Sequence, residues 1–394
     1  MILLFSRNIY KFLLPLFINN LQSLNTVKIL HISGAKSWGG NEQQLIITIP
    51  EIKKHNFDSY IFGVPNSPLH NVCIKKGFHF ICCKSNKLNK PINYKFLKET
   101  IIELKPDLLH LHTSDSVTLF VVSDLLYKLR IPTVFSKKGV SRNVSFLSKL
   151  KYNYKNIDKV LCVSETVKTH FNDILKVKNQ SKLCVVYDGV SDKSHLKENV
   201  INLRKEHNLD GSVRIIGNIA NHTKAKDLKT LIETVNVLIN IKKMSNLHVF
   251  QIGSFSKLTN ELKDLVEEYQ LRNYFTFLGF IENASSVLPQ FDVFLMTSER
   301  EGGPTSVLEA FQNKVAVVST KVGVVSDMVI NGVNGFSAEI SNFEELANDV
   351  VLILNDDSLK NNIIKEANQL YLDNFTVEKL GSYTSKIYNT VLKK

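Results

Sequence analysis

The sequence lacks a long apolar segment. Its longest apolar run covers residues 12–18 and includes Pro15, whereas about 20 residues are needed to span a bilayer as a helix. No small-residue cleavage site follows, so a signal peptide is not expected. Apolar side chains between residues 2 and 16 recur at helical spacing with Arg7 and Lys11 among them. Residues 1–26 are therefore expected to form an interfacial helix, a packed extension or a disordered one.

Cysteines and clustered carboxylates are also scarce. The five cysteines have neither metal-site spacing nor the even number of a disulfide framework: Cys73, Cys82, Cys83, Cys162 and Cys184. Their pattern favours a reducing compartment. Because no clustered Asp-x-Asp triad occurs, we predict no metal site and no cofactor. Short-period repeats and low-complexity tracts are absent as well.

What the sequence does contain is a basic excess confined to its first half. Residues 1–195 hold 28 Lys and Arg against 13 Asp and Glu, a net charge of +15, whereas residues 196–394 carry −3. Such a field attracts nucleic acid, an anionic membrane or a phosphorylated acceptor, unless the lysines only face water. No nucleic-acid recognition motif accompanies the charge, so no nucleic-acid partner is predicted.

Short apolar runs alternate with helical patterns along the whole chain, which is typical of doubly wound α/β sheets. Strands are expected at 27–33, 59–64, 108–112, 133–136, 159–163, 183–187, 213–219, 247–253, 275–278, 293–296 and 316–319. Helices are expected from Glu42, where Pro50 should kink or end the helix, and at 228–241, 258–269, 305–312, 343–354 and 377–394. The length suits two domains. Because ligands bind outside the carboxyl ends of such strands, two sheets can face each other across a cleft.

The strongest local signal is the stretch 298–309, Ser-Glu-Arg-Glu-Gly-Gly-Pro-Thr-Ser-Val-Leu-Glu, which follows a predicted strand and opens a helix. Gly302 and Gly303 allow the backbone to approach a ligand closely, and Pro304 suits the first helical turn. Three residues of that turn have backbone N–H groups without a partner inside the helix: Thr305, Ser306 and Val307. Together with the helix dipole they predict an anion site, for which a diphosphate is the natural ligand.

Glu301 and Glu309 flank this anion site, and carboxylates there can accept hydrogen bonds from hydroxyl groups. A Glu followed seven residues later by a second Glu resembles the signature of the retaining GT-B glycosyltransferases of family 4. The resemblance covers most of the chain from Val27 onward. It implies that Glu301 contacts a donor sugar and Glu309 the ribose of a UDP- or GDP-linked sugar.

The resemblance also implies a domain organisation. Residues 1–26 are then an apolar extension, and residues 27–195 an acceptor-binding Rossmann-like domain. Residues 196–375 are the donor-binding Rossmann-like domain for the nucleotide-sugar. Residues 376–394 form a C-terminal helix that crosses back to the N-terminal domain.

A second segment, residues 215–232, carries the cations that the resemblance implies for the donor diphosphate. A cation there offsets the charge that develops as the diphosphate leaves. Lys226 matches the family's Lys before the helix, with Lys224 as the alternative. The family's Arg is replaced by Asn218, so one cation is missing, and Lys224 or His222 can stand in for it. Without the resemblance these lysines would be read as solvated.

On the acceptor side, the Gly39–Gly40 pair resembles the family's loop between the first strand and the first helix, although a plain tight turn gives the same pattern. Trp38, the only Trp, is expected either to stack on a sugar or to pack. His110 and His112 share one face at the end of a strand. The family often has a His at the position of His112, which we therefore assign to catalysis, whereas His110 fits a structural role.

Lys138 stands where the family has its usual catalytic-region His. A lysine cannot imitate neutral imidazole, but it can hold a phosphate or a carboxylated acceptor. With Lys137 and Arg142 it forms a basic cluster that faces an anionic substrate or merely solvent. In the later stretch Tyr-Asp-Gly-Val, residues 187–190, Asp188 replaces the family's Asn. The turn Gly-Val-Asn-Gly at 332–335 resembles a structural turn of the family.

The sequence therefore predicts a metal-independent, hexosyltransferase-type glycosyltransferase that moves a sugar with retention, by a front-face mechanism in which the leaving phosphate acts as base. The expected acceptor is a glycan or a lipid-linked acceptor in cell-surface polysaccharide or lipopolysaccharide synthesis. A cytoplasmic location is expected, at the inner face of the plasma membrane if an anionic membrane surface is a partner. Two alternatives remain open: a GT-B nucleotide-sugar epimerase, and a non-catalytic GT-B-like subunit that binds a partner.

Overall fold

A computed structural model describes residues 26–140, 144–191, 201–301, 303 and 305–393. The predictions made for residues 1–25, for Arg142 and for Gly302 and Pro304 lie outside these residues. The chain divides into two compact units. Unit 1 comprises Met1–Ser136, Tyr154–Lys159 and Gly381–Lys394, and unit 2 comprises Lys137–Asn153 and Val160–Leu380.

The first sheet has seven strands in the order β3-β2-β1-β4-β5-β6-β7. The strands are β1 (Val27–Ser33), β2 (Phe57–Gly63), β3 (His79–Cys82), β4 (Leu108–Leu111), β5 (Thr133–Lys137), β6 (Lys159–Cys162) and β7 (Leu183–Val185). The helices that follow them are α1 (Gly40–Lys53), α2 (Pro68–Lys76), α3 (Pro91–Leu104), α4 (Ser114–Tyr127), α5 (Phe146–Tyr152), α6 (Glu165–Asn172) and α7 (Val177–Gln180). Strand β1 pairs in parallel with β2 and β4, and this register places His31 opposite Ile61 and His110.

The second sheet is also parallel, with six strands in the order β10-β9-β8-β11-β12-β13. The strands are β8 (Arg214–Ile219), β9 (Leu247–Ile252), β10 (Phe275–Gly279), β11 (Val293–Met296), β12 (Ala316–Thr320) and β13 (Phe336–Ala338). The helices are α8 (Leu203–Glu206), α9 (Leu228–Asn236), α10 (Thr259–Glu268), α11 (Thr305–Gln312), α12 (Val325–Met328), α13 (Phe343–Asn355), α14 (Asp357–Asn374) and α15 (Val377–Leu392). A π-helix, Val237–Ile241, continues α9. Two parallel sheets with helices between their strands confirm the predicted doubly wound α/β class.

Apolar burial explains why these elements form. In unit 2, side chains from the strands and helices make one core that includes Ile216, Leu231, Val249, Val318 and Val350, all without exposed surface. Fully burying such a side chain contributes roughly 1.5–3 kcal/mol. In unit 1, helix α1 packs its apolar face on β2 and α2 through Leu45, Ile46, Ile49, Ile61, Leu69 and Cys73.

Several boundaries differ from the prediction. Helix α1 does not end at Pro50 but continues to Lys53. Strands β3 and β13 and helix α14 were not predicted. The turn before β13 is structural, as expected, because Gly332 has a φ of 75° and the Asn334 side chain accepts a hydrogen bond from the Ile330 N–H at 2.8 Å. Among the described residues, no helix has the length and apolar character required to cross a membrane.

Candidate active site

Glu301 lies in the loop between β11 and α11, and its carboxylate is bonded on two sides. Its Oε1 accepts a hydrogen bond from the Ser298 hydroxyl at 2.8 Å and forms an ion pair with the Nζ of Lys226. The Glu301 and Lys226 side chains are 12% and 28% exposed, so the pair is shielded from bulk water but can still be reached by a ligand. The structure thus brings together two predicted site residues from separate segments.

A short 3-10 turn, Lys224–Lys226, fixes the lysine of this pair. The carbonyl of Ala225 accepts a hydrogen bond from the Glu299 N–H at 2.9 Å. The Thr297 hydroxyl donates to the carbonyl of Asp227 at 3.0 Å, and the Asp227 carboxylate caps helix α9. Thr297 and Glu299 therefore bond the loop after β11 to the turn that carries Lys226. This loop, residues 297–301 with Gly303, is called the signature loop below. Its hydrogen bonds to the turn hold the two charged groups side by side.

Helix α11 begins directly after the signature loop and carries the predicted anion site. Thr305 and Ser306 are half-buried, whereas Val307 is fully buried and can offer a ligand only its backbone N–H. Glu309 lies in the second turn and is half-buried. The first backbone N–H groups of a helix have no acceptor within it. The contacts of this turn with a diphosphate, and of Glu309 with a ribose, stay predictions.

Gly303 marks a close approach between the signature loop and a second ion pair. A Cβ built on Gly303 would lie 2.7 Å from Oδ2 of Asp188 and 3.3 Å from Cγ2 of Val163. A larger residue therefore cannot fit without moving Asp188. The other carboxylate oxygen of Asp188 forms an ion pair with the Nζ of Lys138, and these side chains are 8% and 21% exposed. Within unit 2, Lys138 is thus linked to the signature loop through a single carboxylate.

The segment that carries Asp188 is itself fixed from two sides. The Val190 N–H donates to the carbonyl of Phe375 at 2.9 Å, and the Val190 carbonyl accepts from the Tyr371 hydroxyl at 3.0 Å. A Cβ on Gly189 would come within 2.9 Å of the Thr376 carbonyl oxygen, so the chain passes close to the start of α15. Sequence reasoning noted Asp188 only as a replacement for Asn and missed its role as the partner of Lys138.

The Asn218 side chain, which the resemblance places at the donor diphosphate, is buried in the sheet of unit 2. It is 1% exposed, and its Nδ2 donates to the Leu295 carbonyl at 2.8 Å, which joins β8 to β11. His222, the suggested substitute cation, is also 1% exposed, and its ring nitrogens lie 2.8 Å from Thr259 Oγ1 and Gln251 Oε1. Burial lowers the pKa of His222, which favours the neutral ring. The burial of both side chains therefore disfavours their predicted contact with a phosphate.

In unit 1, the Gly39–Gly40 pair marks the start of helix α1, with Gly39 as its N-cap. The Asn41 side chain follows, and its Nδ2 donates to the His112 carbonyl at 3.1 Å and to Glu42 Oε1 at 3.3 Å. Glu42 is 7% exposed, and burial raises the pKa of its carboxyl group. Sequence reasoning missed Glu42 and Asn41, although an Asn and an acid directly after a Gly-Gly pair were the available signal. Trp38, at 43% exposure, lies on the surface of this loop.

His112 follows strand β4 and is 8% exposed. Its Nε2 lies 3.0 Å from the Nδ1 of His31, whose Nε2 lies 3.2 Å from the Ser59 hydroxyl. Burial lowers the pKa of His31 to about 3, so this ring is neutral over the physiological range. The orientation of His112 is thus set by a buried neighbour that the sequence did not single out. Its contact with a substrate stays a prediction.

His110 has the structural role expected from the sequence. Its Nδ1 lies 2.6 Å from the Tyr388 hydroxyl of helix α15, and its Nε2 lies 2.8 Å from the Ser136 hydroxyl. Among the described residues, His31, His110 and His112 are the group whose ligand atoms lie close enough together, within 4.8 Å, to hold a metal ion. Metal binding there would have to displace hydrogen bonds that both His31 and His110 already make.

Known protein families match both halves of the chain. The model of the glycosyl transferases group 1 matches residues 199–370, and the model of glycosyltransferase family 4 matches residues 38–194. The chain is 23% identical to an N-acetyl-alpha-D-glucosaminyl L-malate synthase of Bacillus anthracis, over 73% of this chain and 75% of that protein. It is 24% identical to the O-antigen biosynthesis glycosyltransferase WclY of Escherichia coli, over 60% of this chain and 63% of that one.

Solved structures share the fold along nearly the whole chain. A glycosyltransferase from Rickettsia africae ESF-5 superposes with a TM-score of 0.83 at 22% identity, covering 94% of this chain and all of that one. Anabaena Alr3699/HepE, solved in complex with UDP and glucose, superposes with a TM-score of 0.76 at 18% identity. That match covers 92% of this chain and 100% of the other.

Proposed function

Because this chain belongs to the group 1, family 4 glycosyltransferases and has their GT-B fold, we propose that it transfers a sugar with retention from a UDP- or GDP-linked donor. The proposed acceptor is a glycan or a lipid-linked acceptor in the synthesis of a cell-surface polysaccharide or lipopolysaccharide. Two relatives support these choices: one acts in O-antigen biosynthesis, and one was solved with UDP and glucose.

The observation that carries the donor proposal is the ion pair between Lys226 and Glu301. Without a ligand, each group neutralises the other. A donor diphosphate gives Lys226 a more highly charged partner, and Glu301 then becomes available to accept hydrogen bonds from sugar hydroxyls. Donor binding is thus an exchange of partners. The Ser298 hydroxyl, bonded to the same carboxylate oxygen, keeps Glu301 oriented during this exchange.

The remaining donor contacts follow from helix α11. The N–H groups of Thr305, Ser306 and Val307 and the helix dipole hold the diphosphate, with Gly303 allowing close approach of the loop. Glu309, one turn further on, accepts from the ribose hydroxyls. Electrostatic stabilisation by Lys226 and this helix is strongest when the diphosphate leaves, because charge on its oxygens is then greatest.

The proposed chemical step retains the anomeric configuration. The bond between the sugar C1 and the diphosphate oxygen breaks, and the nucleoside diphosphate leaves with the electron pair. The acceptor hydroxyl oxygen forms a bond to C1 on the same face, and its proton passes to the leaving phosphate oxygen. The protein supplies positioning and charge, because no side chain is assigned as a nucleophile.

Three predicted features are proposed to act on the acceptor or on charge near the reacting atoms: His112, the Gly39–Gly40 pair and Lys138. His112 is held by His31 and follows strand β4, and Gly40 of the Gly39–Gly40 pair is exposed. Lys138, fixed by Asp188, favours an acceptor that carries a phosphate or a carboxylate. A small dicarboxylate acceptor is the second candidate, since one relative is an N-acetyl-alpha-D-glucosaminyl L-malate synthase. The basic first half further favours an anionic membrane surface at the cytoplasmic face as a partner.

Incubation with a panel of UDP- and GDP-sugars tests the proposal. We expect slow hydrolysis of one donor without acceptor, and faster release of UDP or GDP once the matching acceptor is added. Glu301→Gln should abolish the release, whereas Glu299→Gln, two residues away, should retain it. An epimerase would instead convert the donor sugar or release it without forming a glycoside. A non-catalytic subunit would consume none of the donors, and either result would contradict sugar transfer.

A further inference from the structure

Helix α5 presents three large apolar side chains to solvent. Phe146 is 74% exposed, Leu147 75% and Leu150 49%. Their spacing places them on one face of the helix. The other side is fixed, because Tyr152 is 8% exposed and packs edge-on against Phe171 with ring centroids 5.1 Å apart. Helix α5 is therefore anchored to unit 2 on one side and apolar toward solvent on the other.

A second short helix extends this surface. Asn153, the C-cap of α5, donates to the Ile174 carbonyl at 3.1 Å and accepts a hydrogen bond from the Lys176 N–H at 2.7 Å. These bonds tie the end of α5 to the start of α7. Val177, the first residue of α7, is 82% exposed. The two helices together thus expose four apolar side chains, called the apolar face below: Phe146, Leu147, Leu150 and Val177.

Lysines dominate the charge around the apolar face, although Asp173, which directly precedes Ile174, is exposed. Residues 144–157 contain three Lys and no Asp or Glu, and residues 174–182 contain three Lys and no acid. Lys149, Lys176 and Lys178 are exposed. Lysine side chains can lie along apolar groups while their ammonium groups reach phosphates. An apolar face bordered mainly by lysines matches the boundary between headgroups and acyl chains of an anionic membrane.

We propose that the apolar face is a docking surface for an anionic phospholipid membrane. Its apolar side chains enter the acyl boundary, and the lysines bind lipid phosphates. The inference rests on the proposed function, because a lipid-linked acceptor is presented at such a surface. Helix α5 is only about 10 Å long, so the contact is shallow, reversible and weakened by salt.

Co-sedimentation with vesicles tests this surface on the full chain. The probes are vesicles of phosphatidylcholine alone and of equal parts phosphatidylcholine and phosphatidylglycerol. We expect the protein to bind only the mixed vesicles, and Phe146→Ser, Leu147→Ser and Leu150→Ser together to weaken partition by about tenfold or more. Lys149→Gln, Lys176→Gln and Lys178→Gln together should reduce the salt dependence. All these side chains lie on the surface, and an unchanged thermal unfolding midpoint will verify the fold.

Phe280→Ser is the matched control. Phe280 is 72% exposed and belongs to unit 2, but residues 275–285 contain no Lys or Arg and one acid, Glu282. This variant should bind mixed vesicles like the unaltered protein. Equal partition of the triple serine variant and the unaltered chain would overturn the proposal. Loss of vesicle binding on deletion of residues 1–25 alone would also overturn it. A third contrary result would be an unaltered chain that binds no vesicles but forms a dimer in solution, which the triple serine substitution dissociates.

Donor hydrolysis, measured without vesicles, separates this inference from the proposed function. The triple serine variant should hydrolyse the donor at the same rate as the unaltered chain. If the unaltered chain binds mixed vesicles through the apolar face but hydrolyses no nucleotide-sugar, the docking surface stands and the function fails. If it hydrolyses the donor but all variants bind vesicles equally, the function stands and the docking surface fails.

Discussion

Lys138 is paired with Asp188, and the same carboxylate lies against Gly303 of the signature loop. Each of the two charged residues departs from the family pattern, in which a His and an Asn are expected at these positions. These two residues, Lys138 and Asp188, form an ion pair with each other within unit 2. Lys138 is therefore not an isolated charge. Its position depends on Asp188, which lies against the signature loop.

Breaking this pair should destabilise unit 2. Lys138→Met or Asp188→Asn leaves one charge partly buried and unpaired, so we expect each to lower the free energy of unfolding by about 1–3 kcal/mol. The double variant should lose less than the sum of the two single losses, because the second change removes the unpaired charge. Urea unfolding of all four proteins measures this coupling. Strict additivity would show that the two groups do not interact.

The ion pair between Lys226 and Glu301 predicts that substituting the two residues will affect the affinity for UDP or GDP differently. Lys226→Met should weaken UDP or GDP binding by about 1.5–3 kcal/mol, because a charged hydrogen bond to phosphate is lost. Glu301→Gln should not weaken it, because the lysine is then released from its competing partner. Calorimetry with UDP and GDP measures both, and Lys242→Met, at an exposed lysine of the same unit, is the control. A Glu301→Gln variant that binds the nucleotide as weakly as Lys226→Met would contradict the proposed exchange of partners.

Glu309→Ala should weaken nucleotide binding only by removing the contact of the carboxylate with the ribose hydroxyls. Losing a charged acceptor for hydroxyl groups costs about 1–3 kcal/mol, so we expect weaker binding of UDP or GDP. Binding of pyrophosphate, which has no ribose, should be unaffected. Competition calorimetry with both ligands compares the two losses. An equal loss for pyrophosphate would assign Glu309 to the diphosphate, and no loss for either would remove it from the site.

Local patterns predicted the elements around the donor site well. Strand β11 and helix α11 have the predicted bounds, because a continuous apolar run and a Pro-containing helix start are strong local signals. Strands β3 and β13 were missed since they have only four and three residues and lie at sheet edges. Helix α14 was missed because its apolar pattern is sparse, with Ile363, Ala367 and Tyr371 as its buried residues.

The site was predictable only as separate motifs. The residues of its two ion pairs lie 75 and 50 positions apart in the chain, so spacing alone cannot pair them. Asn218 was assigned to the donor because it stands where the family has an Arg, and no sequence signal indicated that its amide bonds to the Leu295 carbonyl of β11. Its contact with the donor stays a prediction. His31 was missed because a lone His in an apolar strand gives no signal until the strand register places it opposite His110, where its ring also reaches His112.

Turnover should not depend on a divalent metal ion. The sequence has no Asp-x-Asp cluster, and Lys226 with the start of α11 offers positive charge to the leaving diphosphate. Hydrolysis of the donor should therefore proceed at the same rate after dialysis against a chelator. Loss of activity with the chelator, and its recovery on adding magnesium or manganese, would contradict this prediction. An active metal-dependent glycosyltransferase in the same chelator serves as the control.

Acid should destabilise unit 1 through His31. Its pKa in the folded protein is about 3, well below the ordinary value of 6.5. Between these two values the unfolded chain binds a proton that the folded chain does not, so stability falls as the pH falls. The expected slope is about 1.4 kcal/mol per pH unit below pH 6.5. Because the ring is buried between Ser59 and His112, the penalty arises from charging a group that is shielded from water.

His31→Asn removes the titrating ring while keeping a polar side chain. We expect this variant to be less stable at pH 8, because two hydrogen bonds change, yet to lose less further stability between pH 6.5 and 5. His79→Asn is the matched control, since His79 lies exposed on the neighbouring part of the same sheet, and it should keep the full slope. Urea unfolding at several pH values yields these slopes. If the slopes of His31→Asn and the unaltered chain are equal, another buried group causes the acid sensitivity.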